Sequence, residues 1–117
     1  MLKYFVRKPR YPIICNIDGY VIGAKSEKTF LKQLAETNVE IEKTYSLIDS
    51  SGEGWVFLPD LMTISPLTLK KKWFKKEVID LFNNRINTSE KIMYSTKSLS
   101  SKRFDRIFKE IVELLKP

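Results

Sequence analysis

Asp18-Gly19 separates two apolar runs, Ile13-Ile14-Cys15-Asn16-Ile17 and Tyr20-Val21-Ile22, by only two residues. A type I′ turn needs positive φ at both central positions, which glycine takes freely and aspartate tolerates, so this pair dictates an antiparallel hairpin. A chain that opens with paired strands must bury a sheet face, and the rest of the sequence has to supply the cover. Strands are expected over about 3–8, 12–17, 20–23, 39–48 and 55–58, with Leu61-Met62-Thr63-Ile64 as one more short segment. In the 39–48 strand, Val39, Ile41, Tyr45 and Leu47 alternate with polar residues, and Lys43 interrupts the apolar set.

Three helices complete the pattern. Ser26 is a good N-cap for a helix over about 26–37, with Phe30, Leu31, Leu34 and Ala35 as its apolar side. Ser65-Pro66 predicts the start of a second over about 66–84, proline being tolerated at the first helical position. Its core face would be Phe74, Val78, Leu81 and Phe82. The last helix, about 100–116, carries Phe104, Ile107, Phe108, Ile111, Leu114 and Leu115 at the helical period. Residues 86–98 are mostly polar and read as a loop. The fold class is therefore α+β: one domain with a small, mostly antiparallel sheet of about five short strands and three helices packed on one face. At 117 residues there is no room for a second core. Two strands near the N-terminus and an edge strand at 39–48 could pair across a two-fold axis, which leaves monomer or homodimer undecided.

A single cysteine, Cys15, excludes a disulfide within the chain and points to a reducing compartment. Charges break every apolar run before it reaches signal-peptide or membrane-span length, so a cytoplasmic location and no membrane partner are expected. With no histidine, neither a Cys-His nor a Ser-His nucleophile pair can form, and the commonest zinc ligand is missing. No catalytic residue, metal or cofactor is assigned on these grounds, and an enzyme is the last of three functional classes.

Two motif-like stretches fail on spacing. Gly19 to Ser26 ends in Lys-Ser between a strand and a helix, but Ala24 intrudes where a phosphate-cradling loop needs glycine before the lysine. Asp49-Ser50-Ser51-Gly52-Glu53-Gly54, with Asp60 at the twelfth position, partly matches a calcium loop, yet β-type sequence flanks it and Pro59 falls inside it. It reads as an acidic hairpin turn. Asn87-Thr88-Ser89 is formally a glycosylation sequon, without meaning in a cytoplasmic protein.

Charge is distributed unevenly within a net +7. Residues 1–36 carry seven basic and three acidic side chains, residues 37–69 one and five, and residues 70–117 thirteen and six. The acidic middle either presents a patch opposite basic ones or is neutralised within the fold. Lys70-Lys71-Lys72-Trp73-Phe74-Lys75-Lys76 is the most distinctive segment. Lysines at a helix N-terminus oppose the macrodipole, so a cluster there suggests a use. One use is a phosphate-tracking stripe with Trp73 stacking on a base, extended by Lys102, Arg103 and Arg106. The bland alternative is a solvated lysine face whose stems cover an aromatic.

The expected function is a small non-enzymatic binding module acting through a protein partner in a regulatory, inhibitor or immunity-like role. Its candidate residues are Lys71, Lys72, Trp73, Lys75, Lys76, Arg103 and Arg106, with a second candidate surface at Asp49, Glu53, Trp55 and Asp60. Nucleic-acid binding through the lysine helix is the alternative. Convergence of Lys72, Lys75, Lys76, Arg103 and Arg106 would favour nucleic acid, and separation by the acidic segment would favour protein.

Overall fold

The computed structural model describes residues 1–87, 92–99 and 101–116. Among them lie six strands: β1 (Lys3–Tyr4), β2 (Ile13–Ile17), β3 (Tyr20–Ala24), β4 (Tyr45–Asp49), β5 (Gly54–Leu58) and β6 (Thr63–Ser65). The helices are α1 (Glu27–Ala35), α2 (Lys75–Asn83) and α3 (Phe104–Leu114), with short 3-10 turns at Pro59–Leu61 and Thr96–Leu99. One sheet runs in the order β1-β6-β5-β4-β2-β3, antiparallel except for the β1–β6 pair. This is the predicted α+β architecture, with the short segment expected at 61–64 present as β6.

The hairpin forms as the Asp-Gly pair requires. Asp18 and Gly19 take φ of 52° and 96°, and the Asn16 side chain accepts the Gly19 amide at 2.7 Å. Ser26 caps α1 through the Thr29 amide at 3.2 Å. Residues 20–24 are strand, so the loop-like Gly19–Ser26 spacing is a hairpin arm and a helix cap.

The helices do not share one face of the sheet. Phe30 and Leu34 of α1 pack with Cys15, Ile22, Leu47, Trp55 and Phe57, and the Phe30 and Phe57 rings meet edge-on at 5.4 Å. On the other side Ile14, Val21 and Ile48 pack with Val78, Ile79 and Phe82 of α2 and Ile107, Phe108, Ile111 and Val112 of α3. The reason is visible in the unbroken run Ile13-Ile14-Cys15, buried throughout: a strand apolar on both faces needs cover on both. Leu114, expected in the core, is 41% exposed, and Val112 takes its place.

The strand expected over 39–48 begins only at Tyr45. Cys15 pairs with Leu47 and Ile13 with Asp49, so that register would put residue 44 against the Asp18 turn, where β2 has ended. Residues 39–44 instead close a turn, with Lys43 bonded to Glu40 at 2.6 Å and Asp18 at 3.1 Å. β4 is thus central, and the sheet edges are β1 and β3. β1 is only two residues of the 3–8 expected, because Val6 turns the chain at φ 70°. On β3, the Asn87 side chain accepts from Val21 N at 2.8 Å and donates to Val21 O at 2.6 Å, while Gln33 donates to Gly23 O at 2.8 Å. Such capping blocks the edge against a second strand. The rest of the Asn87 sequon lies outside the described residues.

α3 starts at Phe104, while residue 100 of the expected 100–116 span lies outside the described residues. On its outer side Arg106 pairs with Glu110 at 3.3 Å, and Glu113 pairs with Lys25 and Lys116. Glu110 also takes Lys102 at 2.8 Å and the Tyr94 hydroxyl at 2.5 Å. Those donors, Lys102 foremost, hold the Glu110 carboxyl down at about 2. A carboxyl depressed on folding stabilises above its unfolded value near ~4.3 and loses that contribution as pH falls towards the folded value. Glu110→Gln should therefore melt below the wild type at pH 7, with the gap closing between about pH 4.5 and 2. A gap of equal size at both ends of that range would rule out the charge as its cause.

Candidate functional site

Residues 66–74, expected as the first half of the second helix, form an extended strap. Ser65 ends β6, paired with Val56, and its hydroxyl accepts the Leu67 amide at 3.1 Å, so it caps a turn and not a helix. The strap then crosses the β4–β5 turn. Gly54 N donates to Lys71 O at 3.0 Å, Trp73 N donates to Gly52 O at 2.8 Å, and Lys72 bridges Glu53. Only glycine permits this approach, since a Cβ on Gly54 would lie 1.8 Å from Lys70 O.

α2 consequently begins at Lys75, and Glu77 reaches back to the Phe74 amide at 2.9 Å in the manner of a capping box. Moving Lys70, Lys71 and Lys72 out of the helix removes their conflict with its dipole. Phe74, expected in the core, is 59% exposed, and Val78, Ile79 and Phe82 form the buried side. Trp73 is half-buried against the α2–α3 core, with the Lys70 ammonium over its ring at 4.8 Å. It is a packed anchor, not a free stacking platform. Outside it stand Leu67, Leu69 and Phe74, with Lys70, Lys71 and Lys72 between them, all exposed.

The second candidate surface does not exist as one. Asp49 is 1% exposed, and its carboxylate accepts five hydrogen bonds. They come from the amides of Arg10, Ser51 and Glu53, the Ser51 hydroxyl and the Trp55 indole N–H, at 2.6 to 3.1 Å. Asp49 therefore shapes the turn from inside it, its oxygens turned to donors and not to solvent. Trp55 is equally buried, with the Arg7 guanidinium over its ring at 4.7 Å, and Arg7 pairs with Glu53. Asp60 sits beyond the far end of β5. The acidic turn is thus largely neutralised internally.

The predicted cations are brought together only in part. Lys70 pairs with Glu77, Lys76 with Asp80 at 2.9 Å, Arg103 with Asp105 at 3.6 Å and Arg106 with Glu110, so carboxylates interleave with the positive charges. Lys72 lies over the Phe74 ring at 5.4 Å. The Phe104 ring and Trp73 O both border Gly52, which places the turn between the strap and the start of α3. Across that turn Arg103 joins Arg10 and Lys109 around an open groove of about 470 Å³, while Arg106 joins the Tyr94–Lys102–Glu110 cluster. Leu67, Leu69, Arg10 and Lys109 were not among the expected site residues. The alternation Leu67-Thr68-Leu69 is the extended-chain signal that could have flagged the first two.

Cys15 is wholly buried in β2, and burial pushes its thiol far up, which leaves it no nucleophilic role. Among the described residues no helix is long and apolar enough to cross a membrane. No protein-family model, curated protein or solved structure matches the chain.

Proposed function

We propose that this chain is a cytoplasmic, non-enzymatic binding module that docks a protein partner on the 66–74 strap, the partner offering an apolar centre ringed by acidic side chains. One observation carries the reading. The strap is fixed to the sheet by main-chain bonds at Gly52 and Gly54 while leaving Leu67, Leu69 and Phe74 exposed among Lys70, Lys71 and Lys72. A preformed backbone lowers the ordering cost of association, and apolar side chains at the centre with charge at the rim is the anatomy of a protein interface. Arg10, Arg103 and Lys109 across the turn extend the positive rim.

Protein is favoured over nucleic acid by the same side chains. Leucines give a phosphate backbone nothing to bind, and the tryptophan that stacking would need is packed inward. Interleaved carboxylates such as Glu77 and Asp80 would repel phosphates along the stripe.

The test is a strap variant, Leu67→Ser/Leu69→Ser/Phe74→Ser. Its melting should stay within about 0.5 kcal/mol of wild type, since the changed side chains are exposed and serine is a better N-cap than phenylalanine. Partners captured by the wild type from nuclease-treated extract should bind the variant at least ~10-fold more weakly. A pool of short fluorescent DNA and RNA titrated at two salt concentrations provides the opposing arm. Micromolar binding that falls steeply with salt, and is lost in Lys71→Ala/Lys72→Ala, would transfer the strap to nucleic acid.

A further inference from the structure

A second feature, separate from the strap, lies at the β3 edge. Arg85, just past the end of α2, is 4% exposed. Its guanidinium stacks on the Phe82 ring at 3.9 Å, and Nη1 donates to Phe82 O at 2.8 Å. Among the described residues no carboxylate comes within ion-pair distance of it. Burial without a counter-charge is unfavourable for a cation and pulls the Arg85 pKa down. The ring contact and the C-terminal end of α2 offset only part of that.

The same side chain lines a cavity of about 280 Å³ between β3, α1 and the end of α3. Val21, Leu115 and Ile92 supply the apolar part of its wall. Gln33 and Asn87 also line it, but their amides are already committed to the β3 backbone. Arg85 is thus the one buried cation of the lining, and among the described residues it has no carboxylate partner. Its planar fork is shaped for a carboxylate. Glu36 shares the lining and repels a doubly charged phosphate more strongly than a singly charged carboxylate, while Lys116, also there, is already paired with Glu113 at 3.0 Å.

We infer that this cavity is a binding site for a small monocarboxylate with an apolar body, its carboxylate on the Arg85 guanidinium and its body against Val21 and Leu115. The cavity is at the small end of ligand sites, which limits the ligand to the size of an amino acid or a short fatty acid.

The experiment is an amide chemical-shift titration of the whole chain with sodium hexanoate at constant ionic strength, with hexanol and hexylammonium as matched controls. Hexanoate should shift the amides of Val21, Arg85 and Leu115 with a Kd on the order of 1 mM, as expected for a probe of eight heavy atoms. The controls should shift them at least about tenfold more weakly. Arg85→Met keeps an unbranched stem beside the Phe82 ring but removes the guanidinium and should abolish the response, while Arg85→Lys keeps the charge, loses the fork and should weaken it about tenfold. No saturable shift with hexanoate, an equal response to hexanol, or undiminished binding in Arg85→Lys would overturn the assignment, the last of these even if Arg85→Met failed to fold.

Discussion

Asp49→Ala should lower the stability of the domain by about 4 kcal/mol, as much as truncating a buried aromatic. The carboxylate meets five donors, and alanine leaves the Trp55 indole N–H and the amides of Arg10, Ser51 and Glu53 without it. An unsatisfied buried donor costs about 1–3 kcal/mol, and water entering the shallow side of the turn recovers part of the sum. For a domain of this size the loss corresponds to a melting temperature lower by about 15 °C. Asp49→Asn separates charge from shape. It keeps an acceptor for Ser51 and Glu53 but turns an NH₂ group towards Trp55 or Arg10, and should lose about half as much. Thermal unfolding of both variants decides the matter. A loss below about 1 kcal/mol in Asp49→Ala would mean that the turn is held by its main-chain bonds alone, and that the buried carboxylate organises nothing.

How much of this was legible beforehand depends on whether the information was local. The Asp18-Gly19 hairpin, the Ser26 cap and the apolar side of the last helix are set by residues within a few positions of each other, and they appear where expected. The end of β4 at Tyr45 was not local, because it depends on where a strand thirty residues earlier turns away. The placement of helices on both faces had a signal in Ile13-Ile14-Cys15, but such a run tells that a strand is covered twice without telling by what.

The site was misread for a related reason. Ser65-Pro66 is a genuine helix-start pattern, and the strap overrides it through bonds from Lys71 to Gly54 and from Trp73 to Gly52, 17 and 21 residues earlier in the chain. The conflict was nevertheless visible. A helix starting at Pro66 would have held five lysines in its first half, and the fold takes Lys70, Lys71 and Lys72 out of the helix, leaving Lys75 and Lys76 in the first turn beside Glu77. Asp49 and Trp55 looked like surface groups beside an acidic turn. Each is the partner that makes burial of the other affordable, a pairing that only the 3.0 Å bond reveals.

Gly54→Ala should show whether the strap is a unit. The added methyl would stand 1.8 Å from Lys70 O and 3.0 Å from its carbonyl carbon, and both obstacles are backbone, so no rotamer change makes room. The strap must lift, breaking the bonds from Gly54 N to Lys71 O and from Trp73 N to Gly52 O and drawing Trp73 off the core. Overpacking and two lost main-chain bonds together predict a destabilisation of about 3 kcal/mol. Because β5 keeps its pairs with β4 and β6, the sheet should survive, and far-ultraviolet circular dichroism below the melting transition should be nearly unchanged. Trp73 emission, isolated in a Trp55→Phe background, should move to longer wavelength as the indole becomes hydrated. Wild-type emission and wild-type melting together would show that the strap can shift by more than an ångström at no cost, and a surface so loosely held would lose the preorganisation on which the docking proposal rests. If instead the indole is released while Leu67, Leu69 and Phe74 remain in place in the sequence, partner binding should fall with it, which separates the need for the fixed backbone from the need for the side chains themselves.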